Sequence, residues 1–138
     1  MELEGSETSR NLHAALAAEA EANCRYLWFA EQADVEGFPK MAAIFRSIAE
    51  KETGHAMGHL EYLSEVGDPT TGQPIGDTAD NLRSAIVGEE YESGSMYVDF
   101  ANTARDEGFE EIADWFVSLV GAEKRNAEQF TAGLGSLG

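Results

Sequence analysis

The sequence predicts an all-α protein, a bundle of four long helices in a single domain that spans residues 1–138. Apolar and small residues recur at spacings of three and four, which is the period of a helix with one buried face. No segment shows the convincing alternation of a strand. Turn-forming residues divide the chain into four such segments, and the second half of the chain repeats the pattern of the first.

The four predicted helices are separated by a short, a long and a short connection. They cover roughly residues 9–35, 39–65, 79–106 and 110–133. Gly37 ends the first helix and Pro39 suits the first turn of the second, while Gly108 takes the place of Gly37 between the last two. The middle connection, about residues 66–78, is rich in glycine and proline, which end helices. This order is typical of a ferritin-like four-helix bundle, with one long crossover loop between helices 2 and 3.

An internal repeat relates the two halves. A shift of 70 residues pairs Asn11 with Asn81 and Glu19 with Glu89, whereas from Tyr26 onward the shift is 71. Helix three therefore carries one extra residue, which we place between Glu89 and Tyr97. Such an insertion is commonly absorbed as a π-bulge, a feature that is frequent at functional sites. The repeat predicts a duplicated helix hairpin with a π-bulge in the second copy.

A set of acidic residues shares the apolar stripes of these helices, whereas most acids of the chain do not. Burying several carboxylates together is costly unless protons or cations compensate their charge. Glu52 and His55 stand at i and i+3 and reach one ion from a single helical face. The sequence therefore predicts an internal metal site, and its candidate ligands are Glu19, Glu52, His55, Glu89, Glu92 and Glu123.

Charge and composition exclude several classes of partner. Nine basic residues against 26 acidic ones give a net charge of −17, which disfavours nucleic acid and anionic membrane surfaces. No apolar run is long enough to span a membrane, and the N-terminus does not resemble a secretion signal. A single cysteine, Cys24, excludes an internal disulfide and any Cys-x-x-Cys motif. We therefore expect a cytoplasmic protein.

Five stretches of this chain resemble the ferritin-like domain of the rubrerythrins, over about Asn11 to Leu134. They are AAEAEANCRY around Glu19, EGFPKMAAIF at the first turn, AEKETGHA around Glu52, GEEYE ending at Glu92, and DEGFEEIADWF at the second turn. The resemblance implies that the six candidate ligands hold two iron ions, with Glu52 and Glu123 as bridges. Manganese or a mixed pair stays open.

The same resemblance implies that Tyr26 and Tyr97 lie beside the metal centre, where their hydroxyls would hydrogen-bond the ligand carboxylates. Packing in the core accounts for both tyrosines equally well. One departure from the family pattern concerns the second Glu-x-x-His motif. It reads here as Glu123 followed by Asn126, so the expected histidine is an asparagine. An amide is a poorer ligand for iron than imidazole, and the two metal positions are expected to be unequal.

The resemblance further implies an enzyme of the oxidative-stress response, a non-haem diiron peroxidase that reduces hydrogen peroxide to water. The family's rubredoxin-like tail, with its Cys-x-x-Cys pairs, is missing from this sequence, so we expect an external electron donor, either a rubredoxin-like protein or a reductase. Asn126 favours the alternative of an iron-handling protein that binds metal or oxidises ferrous iron without peroxidase turnover. A homodimer that exchanges helix pairs is compatible with the duplicated hairpins, although nothing in the sequence requires it.

Overall fold

The computed structural model describes all residues, 1–138, and is entirely helical in its regular structure. Its elements in chain order are α1 (Glu7–Val35), α2 (Pro39–Leu63), α3 (Thr78–Tyr91), a π-helical segment (Glu92–Met96), α4 (Tyr97–Asp106) and α5 (Glu110–Ser136). The predicted third helix corresponds to α3, the π segment and α4 together. The all-α class, the helix order and the long middle loop are confirmed. No helix is both long and apolar enough to cross a membrane.

Four of the eight predicted helix ends coincide with the observed ones and the other four differ by one to three residues, a difference that local hydrogen bonds explain in part. The Ser6 hydroxyl accepts a hydrogen bond from the Ser9 N–H at 3.0 Å, which caps α1 two residues earlier than apolar periodicity suggests. The Asp77 carboxylate accepts one from the Asp80 N–H at 2.8 Å and starts α3. Capping by polar side chains therefore sets these starts.

The chain divides into two compact units, Met1–Pro69 and Thr70–Gly138. The first, called here the N-terminal hairpin, consists of α1 and α2. The second, the C-terminal hairpin, consists of α3, the π segment, α4 and α5. Each hairpin brings its own helices together.

The two hairpin turns are built in the same way, as the repeat predicts. Gly37 and Gly108 have φ angles of +84° and +88°, a conformation that glycine adopts without steric cost. The N–H of Phe38 donates to the Ala33 carbonyl at 2.8 Å, and the N–H of Phe109 donates to the Ala104 carbonyl at 2.8 Å. This pattern is a Schellman motif, which satisfies the last carbonyls of a helix. A side chain at either glycine would force the chain into a strained conformation.

Alanines bring the helices of each hairpin close together. Ala30 and Ala42 are 0% exposed in the N-terminal hairpin. In the C-terminal hairpin the residues 71 positions later, Ala101 and Ala113, are 3% and 0% exposed. Small side chains let two helix backbones approach, so the same residue type is required at the same place in both copies. The repeat thus extends from the sequence to the packing.

Each hairpin also contains a cluster of three aromatic rings. Phe29 and Phe45 lie 5.6 Å apart, with Tyr26 at 6.2 Å from both. The matching rings of the C-terminal hairpin are separated by 5.7 to 6.3 Å, and they are Tyr97, Phe100 and Phe116. Aromatic pairs at these distances contribute roughly 0.5–1.5 kcal/mol each beyond the area that they bury.

The π segment lies where the repeat predicts the extra residue, between Glu89 and Tyr97. Glu19 and Tyr26 are seven residues apart, whereas Glu89 and Tyr97 are eight apart. A π-helical turn takes up one more residue than an α-helical turn, so the extra residue is absorbed without moving Tyr97 to another face. The predicted π-bulge is confirmed.

Candidate metal centre

The N-terminal hairpin gathers Glu19 from α1 with Glu52 and His55 from α2, here called the N-terminal trio. One ligand atom from each lies within 4.8 Å of the others. The Nδ1 atom of His55 stands 3.4 Å from Glu19 Oε2 and 3.8 Å from Glu52 Oε2. The two carboxylates are mostly covered, while the His55 side chain is 60% exposed. The i, i+3 spacing in α2 places Glu52 and His55 on one face, opposite Glu19.

The C-terminal hairpin gathers three carboxylates, Glu89 from α3, Glu92 from the start of the π segment and Glu123 from α5. This C-terminal trio also offers one oxygen from each residue within 4.8 Å of the others, and all three side chains are half-buried. Glu92 lies where the shift of the repeat changes: a shift of 70 pairs it with Ala22 and a shift of 71 pairs it with Glu21, which is exposed and is not one of the N-terminal trio. The C-terminal trio therefore contains one more carboxylate than the N-terminal trio.

The structure thus brings the six predicted ligands together as two groups of three, each within its own hairpin. Two of the carboxylates bury an oxygen that receives no hydrogen bond, and these atoms are Glu19 Oε2 and Glu89 Oε2. His55 is near the first of them, but without hydrogen-bond geometry. A buried carboxylate oxygen without a donor is unfavourable by about 1–3 kcal/mol or more, and a bound cation removes that cost. Both trios therefore fit divalent metal ions.

Without metal, the carboxyls of each trio hydrogen-bond one another and separate in pKa. Burial, then a hydrogen bond to Glu123 and the charges of Glu123 and Glu92, raise the pKa of Glu89 to about 7. Burial and Glu123 also raise the pKa of Glu92. The hydrogen bond with Glu89 lowers the pKa of Glu123. The metal-free C-terminal trio therefore retains a proton near neutral pH, and metal ions have to displace it.

The N-terminal trio shows the same separation between two carboxyls. The hydrogen bond between Glu52 and Glu19 lowers the pKa of Glu19, to which His55 and His59 also contribute. That same bond, with burial and the Glu19 charge, raises the pKa of Glu52. A hydrogen bond shared by two carboxyls separates their pKa values in this way.

We expect Glu89→Gln to reduce the pH dependence of stability in the metal-free protein. The pKa of Glu89 is near 4.5 when unfolded and about 7 when folded, so between these values the folded state holds a proton that the unfolded state has lost. Its stabilising contribution is complete below the unfolded pKa and is lost as the pH rises through the folded one. Urea denaturation with a chelator, at about pH 5.5 and about pH 7.5, measures this loss.

The matched control is Glu90→Gln, which neutralises the adjacent, exposed acid. Wild type and this control should lose stability over the interval, and Glu89→Gln should lose distinctly less. Equal losses in all three proteins would show that Glu89 has an ordinary pKa in the folded state.

The two predicted tyrosines lie in the aromatic clusters described above. Burial, and then the charges of Glu92, Glu123 and Glu89, raise the pKa of Tyr97, which places this side chain beside the C-terminal trio. Tyr97 also stacks on Phe116, with ring centres 5.9 Å apart. Tyr26 carries the Arg25 guanidinium over its ring at 5.7 Å. The proposed role of both hydroxyls beside a metal stays a prediction.

Two further polar residues lie next to the trios: the sequence alone identifies Asn126, but it does not identify Asn23. Hydrogen bonding by Asn126 contributes to lowering the pKa of both Glu89 and Glu123, so its amide lies against the C-terminal trio. Asn23 donates to the Ala49 carbonyl and to the Thr53 hydroxyl, each at 2.8 Å, which ties α1 to α2 beside Glu52. The sequence signal for Asn126 is its spacing: it stands three residues after Glu123, as His55 stands three residues after Glu52.

Comparison with known proteins gives consistent matches. The rubrerythrin family model matches residues 10–134. Rubrerythrin of Porphyromonas gingivalis is 37% identical over 134 residues, covering 94% of this chain and 67% of that protein. Rubrerythrin of Nitratidesulfovibrio vulgaris is 37% identical over 132 residues, covering 93% and 69%. A structure of mixed-valence nigerythrin shares 28% identity at a TM-score of 0.45, over 96% of this chain and 68% of that one. This chain spans about two thirds of those lengths.

Proposed function

Because the chain belongs to the rubrerythrin family, we propose that it is a diiron oxidoreductase that reduces hydrogen peroxide to water with electrons from an external donor. The observation that carries the proposal is the pair of trios, each with a buried carboxylate oxygen that has no hydrogen-bond donor. Imidazole and carboxylate ligands are compatible with iron, and membership of the rubrerythrin family favours iron over other divalent metals. The ligands would be Glu19, Glu52, His55, Glu89, Glu92 and Glu123.

When bound, two ferrous ions supply the two electrons that, with two protons, convert one hydrogen peroxide molecule into two water molecules. The chain provides the positions of the ligands. Asn23 fixes α1 against α2 next to Glu52, and the Schellman turn at Gly37 closes the same hairpin. In the C-terminal hairpin, Tyr97 and Phe116 form an apolar wall beside the carboxylates. Such a wall limits access of bulk water from that side.

The π segment gives the C-terminal trio a ligand that the other trio lacks. Glu92 is the first residue of this segment, and helix residues there are not held by the ordinary α-helical hydrogen-bond pattern. A ligand carboxylate at such a position is able to adjust when the charge of the metal changes. Glu92 would therefore be the ligand best placed to adjust to the charge of a bound iron ion.

The electrons for turnover come, in this proposal, from a separate protein or reductase. The only cysteine in these 138 residues is Cys24, so they contain no Cys-x-x-Cys site for a second iron centre. A rubredoxin-like protein is one donor of suitable chemistry. The net charge of −17 favours a donor whose docking surface is basic.

Anaerobic stopped-flow spectroscopy tests the peroxidase proposal. The reduced, iron-loaded protein is mixed in parallel with hydrogen peroxide and with oxygen, and iron oxidation is followed by absorbance. We expect oxidation by peroxide to be much faster than oxidation by oxygen. The same ferrous iron without protein is the control. Oxidation by peroxide that is no faster than oxidation by oxygen would contradict a peroxidase.

A second candidate function is iron handling, in which the protein binds iron or oxidises ferrous iron without peroxidase turnover. Asn126 is the observation that favours it, because the C-terminal trio has no imidazole. In the same experiment, an iron-handling protein would be oxidised by oxygen at least as fast as by peroxide. The two rates therefore distinguish the two functions.

A further inference from the structure

The two trios differ in the chemistry of their donor atoms. The N-terminal trio offers two carboxylates and the imidazole of His55, whereas the C-terminal trio offers three carboxylates. His55 follows Glu52 by three residues. The residue at the same spacing after Glu123 is Asn126. One site thus combines nitrogen and oxygen donors, and the other has oxygen donors alone.

Asn126 itself belongs to the second site. It follows Glu123 by three residues on α5, the same spacing that places His55 beside Glu52 on α2. It also lowers the pKa of both Glu89 and Glu123, so it lies where an imidazole from the same position would meet a metal ion. An amide has an oxygen acceptor and N–H donors, but no nitrogen lone pair for a metal. Asn126 therefore supplies either an oxygen or a hydrogen bond, and the donor set of this trio remains oxygen only.

Divalent metals respond differently to these donor sets. Every such site binds Fe²⁺ more tightly than Mn²⁺, but imidazole suits iron, whereas carboxylate, carbonyl and water suit manganese. Replacing an imidazole by oxygen donors therefore reduces the preference for iron. The buried oxygen of Glu89 that receives no hydrogen bond favours a bound cation at the C-terminal trio.

We propose that Asn126 makes the C-terminal trio a manganese-accepting site, so that a supply of metals richer in Mn²⁺ than in Fe²⁺ places Mn²⁺ there and Fe²⁺ at the N-terminal trio. This inference rests on the proposed function, since it assumes that both trios bind metal. It assigns the two metal positions different identities and names Asn126 as the residue that determines specificity. Asn126 acts here through the donor set and not through contact with the peroxide.

Competitive metal loading of the full chain tests this inference. Chelator-treated protein is loaded anaerobically with both metals in excess over the sites and with Mn²⁺ at a higher concentration than Fe²⁺, desalted, and analysed for both metals. We expect wild type to retain both, Asn126→His to lower the Mn:Fe ratio severalfold, and His55→Asn to raise it. Asn126→Asp keeps an oxygen donor at the same position and should preserve the wild-type ratio, which controls for a purely structural effect.

Anomalous scattering at the manganese edge, from crystals of the same loaded protein, locates the manganese. A peak at the C-terminal trio supports the inference. A peak at the His55 trio, or an unchanged Mn:Fe ratio in both Asn126→His and His55→Asn, would overturn it even if the protein still binds two iron ions and reduces peroxide. Absence of metal from both trios would overturn the proposed function together with this inference.

Discussion

Replacement of Glu52 by alanine should remove iron from the N-terminal trio and lower the rate of peroxide reduction by at least about 100-fold. Mutation of a residue that only orients a metal ligand typically lowers metal affinity or activity by about 10–100-fold. Glu52 is itself a proposed ligand, so the loss should be at least as large. Its carboxylate is one of three groups within 4.8 Å of one another, and only Glu19 and His55 would remain. Elemental analysis and the stopped-flow assay measure the two effects.

The matched control is Glu50→Ala, which removes an exposed acid two residues away on the same helix. It should keep wild-type iron content and rate. The metal-free Glu52→Ala protein should be at least as stable as wild type, because burial and the neighbouring Glu19 raise the pKa of Glu52 and thus disfavour its charge. Full iron content in Glu52→Ala would show that the N-terminal trio is not the metal site.

Replacement of Ala42 by leucine should destabilise the N-terminal hairpin by about 1–3 kcal/mol, the usual cost of added volume in a packed core. Ala42 is 0% exposed and belongs to a small core with Ala30, Ala33 and Phe45. Leucine adds three carbon atoms where two helices approach closely, so α1 and α2 have to separate. The midpoint of urea denaturation measures the loss.

Ala43→Leu is the matched control, since Ala43 is the next residue of α2 and is exposed. It should change the stability by less than about 0.5 kcal/mol, as is usual for surface substitutions. A denaturation midpoint for Ala42→Leu equal to that of Ala43→Leu would mean that the close approach of the helices at Ala42 does not stabilise the hairpin.

Much of the helical architecture is predictable from the sequence because it is encoded locally. Apolar periodicity gives the helices, while Gly37 and Gly108 mark turns that only a residue with positive φ permits. The change of shift from 70 to 71 locates the π segment, since one extra residue within an otherwise matched helix has to be absorbed somewhere. Helix starts were less predictable, because a cap such as Ser6 lies outside the apolar pattern.

The metal site was predictable in part. The apolar faces of the predicted helices identify all six candidate ligands, because few acidic residues lie on those faces. What the stripes do not contain is the distance between residues far apart in sequence, such as the 3.4 Å between His55 and Glu19. They also do not show the donor-free oxygen of Glu89, the hydrogen bonds of Asn126, or the tie from Asn23 to Thr53. These depend on how two helices pack.

The central claim is that the two trios bind iron, and crystallography at the iron absorption edge tests it most directly. The full chain is loaded anaerobically with ferrous iron alone, crystallised, and measured above and below the edge. We predict one anomalous peak among Glu19, Glu52 and His55, and one at the carboxylates of the C-terminal trio. An iron-loaded crystal with no anomalous peak at either trio would contradict the claim.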